Sequence, residues 1–278
     1  MPELEPLRET IRRHGLNARR SLGQHFLLDA NLTDRIARAA GDLTHGTTIE
    51  IGPGPGGLTR SLLAAGARHV VAVERDPRCL AALAELGEAY PGRLTAHKAD
   101  AQHLRLADLG PPPRTVVANL PYNVATELLI GWLDELAADP DAAAGFTLMF
   151  QKEVADRLVA APGTKAYGRL SILTQWLCAA RVLFKVPPQA FTPPPKVWSG
   201  VVQLTPRPAP LAPANSATLQ RVTGAAFGQR RKMLRQSLKS LGEPADLAAR
   251  AGVPLTARAE DLSVESYCAI ARALEADG

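Results

Sequence analysis

The chain has 278 residues, 46% of them hydrophobic and 21% charged, which is the composition of a globular protein with a buried core. No apolar run reaches the ~18–20 residues of a membrane span, and the acidic N-terminus has no apolar signal core, so we expect a soluble, cytoplasmic protein. The formal net charge of +5 indicates a polyanionic partner. Three widely separated cysteines, Cys79, Cys178 and Cys268, argue against a disulfide framework and against a metal cluster.

The N-terminal segment predicts an arm or short helix up to about residue 18, and then a helix that ends near Ala40 with Ile36 on its apolar face. Between them lies a polar pair, Gln24 and His25, flanked by apolar residues. From composition alone, the favoured interpretation of His25 is a hydrogen-bonded histidine of the core.

A strand, a tight turn and the start of a helix are predicted over residues 48–59, which read TIEIGPGPGGLT. Glycines permit positive φ angles and place no Cβ between a ligand and the backbone amides, and a helix N-terminus offers free N–H donors. Gly52, Gly54 and Gly57 satisfy the G-x-G-x-x-G pattern of dinucleotide sites. Gly56 completes the G-x-G-x-G pattern of S-adenosylmethionine enzymes equally well. A turn that binds no ligand is the third interpretation.

Two details favour S-adenosylmethionine over a dinucleotide. Pro53 and Pro55 remove two amide donors that a pyrophosphate would use, whereas S-adenosylmethionine has no phosphate. The second detail is the Asn-Leu-Pro-Tyr sequence at residues 119–122, which has no place in a nicotinamide site. For the glycine stretch taken alone, a nicotinamide enzyme stays as the alternative.

Acidic residues follow the next two predicted strands. The strand over residues 70–73 ends at Glu74, about 20 residues beyond the glycines, where an acid in such folds binds both ribose hydroxyls. A predicted helix over 78–89 and a strand over 94–98 lead to Asp100, whose carboxylate can accept from an adenine amino group. A loop or helix cap is the alternative role for Asp100.

The predicted fourth strand, residues 115–118, delivers the Asn-Leu-Pro-Tyr sequence to the edge at which open α/β sheets bind ligands. The exocyclic nitrogen of adenine is a poor nucleophile because its lone pair is conjugated into the ring. The Asn119 side-chain oxygen and the Leu120 carbonyl can accept from that amino group, since Pro121 fixes the backbone direction. Tyr122 can stack on a base taken out of its helix. A turn without function is the alternative.

The second half of the chain predicts the elements that complete the sheet, followed by helices. The predictions are a helix over 126–136, a strand over 145–150, a helix over 151–159, a mobile loop over 163–168, a helix over 170–179 and strands over 181–186 and 197–204. The proline-rich loop between the last two strands is stiff and is expected to hold Phe191 out.

Three parts are expected: residues 1–205 as an N-terminal arm and main domain, a Pro- and Ala-rich linker over 206–216, and a small helical domain over 217–278. Predicted helices in the last part cover 217–241, 244–251 and 263–275.

Two basic clusters fit a polyanionic partner, with a solvated helix face as the alternative for each. The first cluster is Arg12, Arg13, Arg19 and Arg20, and the second is Arg230, Arg231, Lys232, Arg235 and Lys239.

Together these motifs resemble the ribosomal RNA adenine dimethylases, specifically the type that acts on small-subunit RNA. The resemblance covers nearly the whole chain, and its combination of motifs is specific although no single motif is. The matching residues are 21–27 (SLGQHFL), 50–59, Glu74, Asp100, 119–123 (NLPYN), 191–197 (FTPPPKV) and 227–234 (FGQRRKML).

The resemblance implies a class I S-adenosylmethionine-dependent methyltransferase fold: α/β, Rossmann-like, with a mostly parallel seven-stranded sheet and a small all-helical C-terminal domain. S-adenosylmethionine is the implied cofactor, and no metal is implied. The implied cofactor-binding residues are His25, Leu27, Gly52, Gly54, Glu74, Asp100 and Asn119. This assignment replaces the core interpretation of His25, which stands where many members have asparagine.

The implied reaction is N6,N6-dimethylation of two adjacent adenines in the 3′-terminal hairpin of 16S rRNA, by four methyl transfers. The implied substrate is an assembling 30S particle and the enzyme a monomer. The residues expected to handle the target adenine are Asn119, Leu120, Pro121, Tyr122 and, as a second aromatic wall, Phe191. RNA binding is expected for Arg230, Arg231, Lys232, Arg235 and Lys196.

Three alternatives remain open. An antibiotic-resistance dimethylase of large-subunit RNA shares the catalytic motifs, but more often has isoleucine at the position of Leu120 and is not expected to carry Phe-x-x-Arg-Arg-Lys. A DNA adenine methyltransferase would need a larger recognition domain. An assembly factor whose binding role dominates would use the same basic surface.

Overall fold

A computed structural model describes residues 3–16, 18 and 24–276 of the chain. Arg19, Arg20 and the first three residues of the SLGQHFL motif lie outside the described residues. The helices and strands are, in chain order, α1 Leu7–Arg13, β1 Phe26–Leu27, α2 Ala30–Ala39, β2 Thr47–Ile51, α3 Gly57–Ala64, β3 Val70–Glu74, α4 Pro77–Ala89, β4 Leu94–Lys98, β5 Arg114–Asn119, α5 Ala125–Ala138, β6 Gly145–Gln151, α6 Lys152–Leu158, α7 Arg169–Leu177, β7 Cys178–Val186, β8 Phe191–Thr192, β9 Ser199–Pro206, α8 Ser216–Gly228, α9 Leu234–Ser237, α10 Pro244–Ala251 and α11 Val264–Glu275.

Seven strands form one sheet in the order β4-β3-β2-β5-β6-β9-β7. The pairs from β4 through β6 are parallel, and β9 runs antiparallel to β6. Every residue of β2 and β3 is buried, as expected for central parallel strands covered on both faces. This mostly parallel, Rossmann-like sheet confirms the fold class predicted from the sequence. Its strand order reverses between β2 and β5, and ligands bind at such a switch point.

A second, two-stranded sheet pairs β1 with β8 in antiparallel register. Leu27 lies opposite Phe191, and Phe26 lies opposite Thr192. The carbonyl of Pro193 also bonds the ring of His25, a residue 168 positions away in the sequence. The pairing fixes residues 26–27, which follow the N-terminal helix α1, against the proline-rich loop.

The expectation that the proline-rich loop holds Phe191 out is wrong. Phe191 is only 2% exposed, and it belongs to the core cluster that includes Leu27, Val186 and Val201. A phenyl ring gains about 1.5–3 kcal/mol by full burial, and the β1–β8 pairing supplies the apolar neighbours that bury it. Prolines stiffen the loop, but they do not decide which way its aromatic residue faces.

By its packing the chain forms two compact units. The first unit consists of Met1–Glu135, Asp141–Ala155 and Val182–Thr205, and the second of Leu136–Pro140, Asp156–Arg181 and Pro206–Gly278. The segment 156–181, expected in the main domain, thus belongs to the second unit, because its apolar helix α7 packs against α8 and α11. The functional division of the domains stays a prediction.

The long helix predicted over 217–241 is interrupted. Helix α8 ends at Gly228, and α9 begins only at Leu234, whose amide donates to the Ala257 carbonyl at 2.9 Å. Of the intervening residues 229–233, the first four are Gln-Arg-Arg-Lys and offer no apolar side chain to bury, and Met233 forms an isolated antiparallel bridge with Arg258 instead of continuing a helix. The second basic cluster therefore begins in a turn, and the helix-face interpretation fails for its first members.

The loop predicted over 163–168 ends in a buried residue. Tyr167 is fully buried, with its ring 6.2 Å from that of Phe227, and the Gly163 amide donates to the Glu260 carbonyl at 2.7 Å. Mobility of this loop stays a prediction. No helix among the described residues is long and apolar enough to cross a membrane.

We predict that Phe191→Ala lowers the free energy of unfolding by about 3 kcal/mol or more, because it leaves a cavity in a packed core. Phe191→Leu should lose clearly less. Val197→Ala, on the same loop but exposed, is the matched control and should change little. Urea denaturation followed by circular dichroism measures all three. A loss below about 1 kcal/mol for Phe191→Ala would show that the ring lies outside the core in solution.

Candidate functional site

A cleft opens at the carboxyl edge of the sheet, beside the switch point between β2 and β5. Five sequence stretches from distant parts of the chain line it together. The predicted site residues in its lining are His25, Leu27, Gly52, Gly54, Glu74, Asp100, Asn119, Leu120, Pro121 and Tyr122. The structure thus brings every predicted cofactor residue, and four of the five residues predicted to handle a base, to one place.

The glycine loop needs its glycines for two different reasons. Gly52, Gly54 and Gly56 have φ angles of 68°, 56° and 89°, which side chains with a Cβ rarely adopt. Gly57 has an ordinary φ, but a Cβ there would lie 2.7 Å from the Leu27 carbonyl oxygen. The fourth glycine therefore lets the N-terminal segment pass close over the start of α3.

Glu74, at the end of β3, is buried and holds the glycine loop. One carboxylate oxygen accepts from the Gly54 amide at 2.9 Å, and the other accepts from the Asp76 amide at 2.8 Å. Burial raises the pKa of Glu74, and the backbone amides of Asp76, Gly54 and Arg75 oppose that rise. Each oxygen keeps a second lone pair, so the carboxylate can still accept from two neighbouring hydroxyls.

Asp100 both caps a short helix and lines the cleft, so the structure accommodates the two roles considered for it. Its side chain caps the short 3-10 helix Ala101–His103 by accepting from the Gln102 amide at 3.2 Å. The same carboxylate pairs with Arg75 at 3.2 Å and lines the cleft. Capping fixes the side chain in place without removing it from the site.

Asn119 is oriented by the N-terminal segment. Its side-chain nitrogen donates to the His25 carbonyl at 3.0 Å, so its side-chain oxygen is the group left to accept in the cleft. Pro121 packs beneath the glycine loop, about 3.5 Å from where a Cβ on Gly52 would be. These contacts place the acceptor opposite the glycine loop, as the Asn-Leu-Pro-Tyr hypothesis requires.

His25 and Tyr122 form an aromatic pair at the cleft. Their ring centroids are 5.5 Å apart with 30° between the planes. His25 Nδ1 lies 2.7 Å from the Pro193 carbonyl, which can only accept, so Nδ1 carries the proton. The Tyr122 hydroxyl is 2.6 Å from Ser199 Oγ. Phe191 lies behind the lining, edge-on to His25 with a centroid distance of 6.4 Å.

Glu50 is a site residue for which the sequence motifs predicted no role. It is 1% exposed, it lines the cleft, and its Oε2 has no hydrogen-bond partner among the described residues. Burial raises the pKa of Glu50 to about 8; the nearby Thr59 hydroxyl lowers it slightly without a bond of good geometry. The sequence feature that could have identified Glu50 is a carboxylate within an otherwise apolar, β-branched strand, because such a residue is rarely buried without a partner.

The basic residues of the second unit differ from one another. Arg230 is already partnered, since its guanidinium bonds Glu260 Oε2 at 2.7 Å and the Thr164 carbonyl at 3.2 Å. Arg231, Lys232 and Arg235 are exposed, as is Lys196 of the first unit. RNA binding by these residues stays a prediction. No group of three or more metal-ligating side chains occurs within the described ranges.

The chain matches a family model described as "Ribosomal RNA adenine dimethylase" over residues 15–276. Among curated proteins named "Ribosomal RNA small subunit methyltransferase A", that of Rhodospirillum rubrum is 63% identical over 275 residues, covering 99% of this chain and 94% of the relative. That of Paramagnetospirillum magneticum is 63% identical over 276 residues, covering 99% and 97%.

Solved structures share the fold. A dimethyladenosine transferase from Plasmodium falciparum superposes with a TM-score of 0.73 at 24% identity, covering 88% of this chain and 96% of that one. The 23S rRNA methyltransferase ErmE superposes with a TM-score of 0.65 at 27% identity, covering 90% and 99%.

We predict a pH-dependent stability that depends on Glu50. Its pKa is about 8 in the folded protein against 4.5 for an ordinary glutamate, so between these values the folded state holds the extra proton. Its contribution to stability is complete below about pH 4.5 and is lost as pH rises through about 8, by at most about 1.4 kcal/mol per pH unit. Glu50→Gln should remove this loss.

Urea unfolding at several pH values between 5 and 9 measures the difference. The gain of Glu50→Gln over the wild type should be small at pH 5 and should increase with pH. Glu88→Gln, which removes a carboxylate from an exposed position on α4, should keep the wild-type pH dependence. Parallel pH profiles for Glu50→Gln and the wild type would contradict the prediction.

Proposed function

Because the chain belongs to the ribosomal RNA adenine dimethylase family, we propose that it transfers methyl groups from S-adenosylmethionine to adenine N6 atoms of small-subunit rRNA. The proposed product is a pair of adjacent N6,N6-dimethyladenines in the 3′-terminal hairpin of 16S rRNA, made by a monomer on an assembling 30S particle. The observation that carries the proposal is the convergence of the glycine loop, Glu74 and Asn-Leu-Pro-Tyr in one cleft. The names of the most similar relatives support the small-subunit target.

The side chains that line the cleft match the chemical groups of S-adenosylmethionine. Glu74 offers two carboxylate oxygens to a ribose diol, and Asp100, which follows the neighbouring strand β4 and also lines the cleft, is proposed for the adenine end. The buried Oε2 of Glu50 has no hydrogen-bond partner among the described residues and can bond a ligand, and Pro53 and Pro55 remove two amide donors that a pyrophosphate would use. When bound, S-adenosylmethionine supplies an activated methyl group on a sulfonium.

The residues of the chain then position the acceptor. In the proposed mechanism, the target adenine is flipped from its stack and lies on Tyr122, whose hydroxyl is anchored by Ser199. The Asn119 side-chain oxygen and the Leu120 carbonyl accept from N6, which localises the nitrogen lone pair. As N6 acquires positive charge, these oxygens stabilise it, and the proton that N6 loses passes to solvent, so that no side chain has to act as the base. Orientation supplies most of the remaining rate enhancement.

The second candidate is a dimethylase of large-subunit RNA, which the likeness to ErmE favours. This chain is 27% identical to ErmE but 63% identical to proteins named as small-subunit methyltransferases. Large-subunit RNA is therefore the second candidate substrate.

Methyl transfer from labelled S-adenosylmethionine to small subunits that lack the modification tests the proposal, with mapping at nucleotide resolution. Two dimethylated neighbouring adenines in the 3′-terminal hairpin are expected. Label on large-subunit RNA alone would favour the second candidate. If Asn119→Ala abolishes methylation yet still alters the maturation of immature subunits, the binding role is independent of catalysis.

We predict that Glu74→Ala weakens S-adenosylmethionine binding by about tenfold or more, because it removes charge-assisted hydrogen bonds to the ribose. Glu74→Gln, which keeps acceptor and donor atoms in place of the carboxylate, should lose less. Tyr122→Ala should leave this affinity unchanged and lower turnover, while Tyr122→Phe should retain the stacking. Isothermal titration and single-turnover kinetics separate the two effects. Equal affinity of wild type and Glu74→Ala would refute the ribose assignment.

We predict that replacing Arg231, Lys232 and Arg235 together by glutamine weakens RNA association and reduces its salt dependence. The slope of log K against log salt should decrease by about 0.7 for each phosphate that the variant no longer neutralises. Arg230→Gln should instead lower stability, because it leaves Glu260 without its partner. An unchanged slope in the triple variant would rule out binding of phosphates by these three residues.

A further inference from the structure

Trp198 is an exposed tryptophan. Its accessible fraction is 49%, whereas Trp132 and Trp176, the other two tryptophans of the chain, are buried. The exposure continues into its neighbours, since Val197 is 44% exposed and Lys196 is exposed as well. A large apolar ring left in water forgoes the free energy of burial, and tryptophan is enriched where proteins bind partners.

The position of Trp198 in the sheet is informative. It precedes Ser199, the first residue of β9, which pairs with Gln151 at the end of β6. Because β9 is antiparallel to β6, the start of β9 lies at the carboxyl edge of the parallel strands, as Asn119 does. The Trp198 carbonyl accepts from the Lys152 amide at 2.8 Å, which fixes its backbone there.

Ser199 links this exposed residue to the cleft. Ser199 is fully buried, and its hydroxyl is 2.6 Å from the hydroxyl of Tyr122, the residue proposed to stack on the target adenine. Trp198 lies one Cα–Cα step away, about 3.8 Å along the chain. The backbone that carries the exposed indole therefore lies next to the residue that bonds Tyr122 of the proposed base site, and it is fixed by the bond from the Lys152 amide.

We propose that Trp198 is a stacking platform for an unpaired nucleotide next to the target adenine, with Lys196 close to the adjoining phosphate. This inference rests on the proposed function, because it takes RNA as the substrate. A flipped base leaves its neighbours with uncovered faces, and an aromatic ring beside a cation is how proteins bind such unstacked nucleotides. The platform would hold the strand while Tyr122 holds the reacting base.

Trp198 also supplies the probe for a direct test. A collisional quencher such as iodide should reach this indole and not the two buried ones. Adding a short, unpaired oligoribonucleotide of adenine and uridine should then quench part of the tryptophan emission saturably and protect the remainder from iodide. Trp198→Phe should show no saturable change. Absence of quenching in the wild type, at concentrations where a labelled oligoribonucleotide is bound by anisotropy, would overturn the proposal.

Kinetics give the second test. Trp198→Ala should raise KM for the rRNA substrate about 5- to 30-fold, as expected when one base has no ring to stack on, with kcat and the affinity for S-adenosylmethionine unchanged. Trp198→Phe should recover most of the loss. Leu211→Ala, another exposed apolar residue, is the control and should behave as the wild type. An unchanged KM in Trp198→Ala, while the wild type methylates small-subunit rRNA, would overturn the platform alone.

The remaining outcomes separate the two proposals. A wild type that methylates no small-subunit rRNA would refute the proposed function, while oligoribonucleotide quenching would still decide whether Trp198 binds unpaired bases. If Trp198→Ala weakens association with the ribosomal particle but not with naked rRNA, the surface binds a protein and the platform is refuted. Thermal unfolding of each variant checks that its fold is intact.

Discussion

The site depends on the hydrogen bonds from the Gly54 and Asp76 amides to the buried carboxylate of Glu74. Desolvation makes a buried carboxylate costly, and two amide donors offset part of that cost. The same bonds join the end of β3 to the glycine loop that follows β2, so neighbouring strands present their ends in one fixed arrangement. A polar residue that the ligand would use thereby also holds the binding loop in shape.

The charges of the cleft explain why it suits a cationic nucleoside better than a phosphate. Glu50 and Glu74 are buried on adjacent strands, and the charge of Glu74 adds to burial in raising the pKa of Glu50. Arg75, the one arginine in the described lining, is paired with Asp100. The described lining therefore offers a phosphate no unpaired arginine or lysine. The proposed binding of an RNA backbone is therefore assigned to residues outside the cleft lining, and Lys196, Arg231, Lys232 and Arg235 are exposed for it.

Local sequence patterns were sufficient to predict the parallel strands, because β-branched runs that end in glycine or an acid report on geometry within a few residues. Glu74, Asp100 and Asn119 were identifiable for the same reason: each lies at or just after the end of a strand. Contacts between residues far apart in the chain could not be predicted from these local patterns. The burial of Phe191 depends on β1, and the orientation of Asn119 depends on a carbonyl 94 residues away. The strand pattern around Glu50 predicts that the residue is buried, but it does not show that its Oε2 has no hydrogen-bond partner among the described residues.

His25 combines features of both interpretations made from the sequence, the hydrogen-bonded core histidine and the residue of the binding site. The ring is partly buried and bonded to the Pro193 carbonyl, as a satisfied histidine would be, and its own carbonyl orients the Asn119 amide. A main-chain carbonyl acts in this way whatever side chain is attached, so asparagine at the same position would preserve the orientation. What the imidazole adds is its stacking on one face of Tyr122, the residue on which a base is proposed to lie. A base that takes the face of Tyr122 covered by the His25 ring must compete with that ring, and its own stacking must outweigh that contact. The larger aromatic surface of adenine favours the base in that exchange, which makes occupancy of the Tyr122 face a criterion for a flat, unpaired nucleobase.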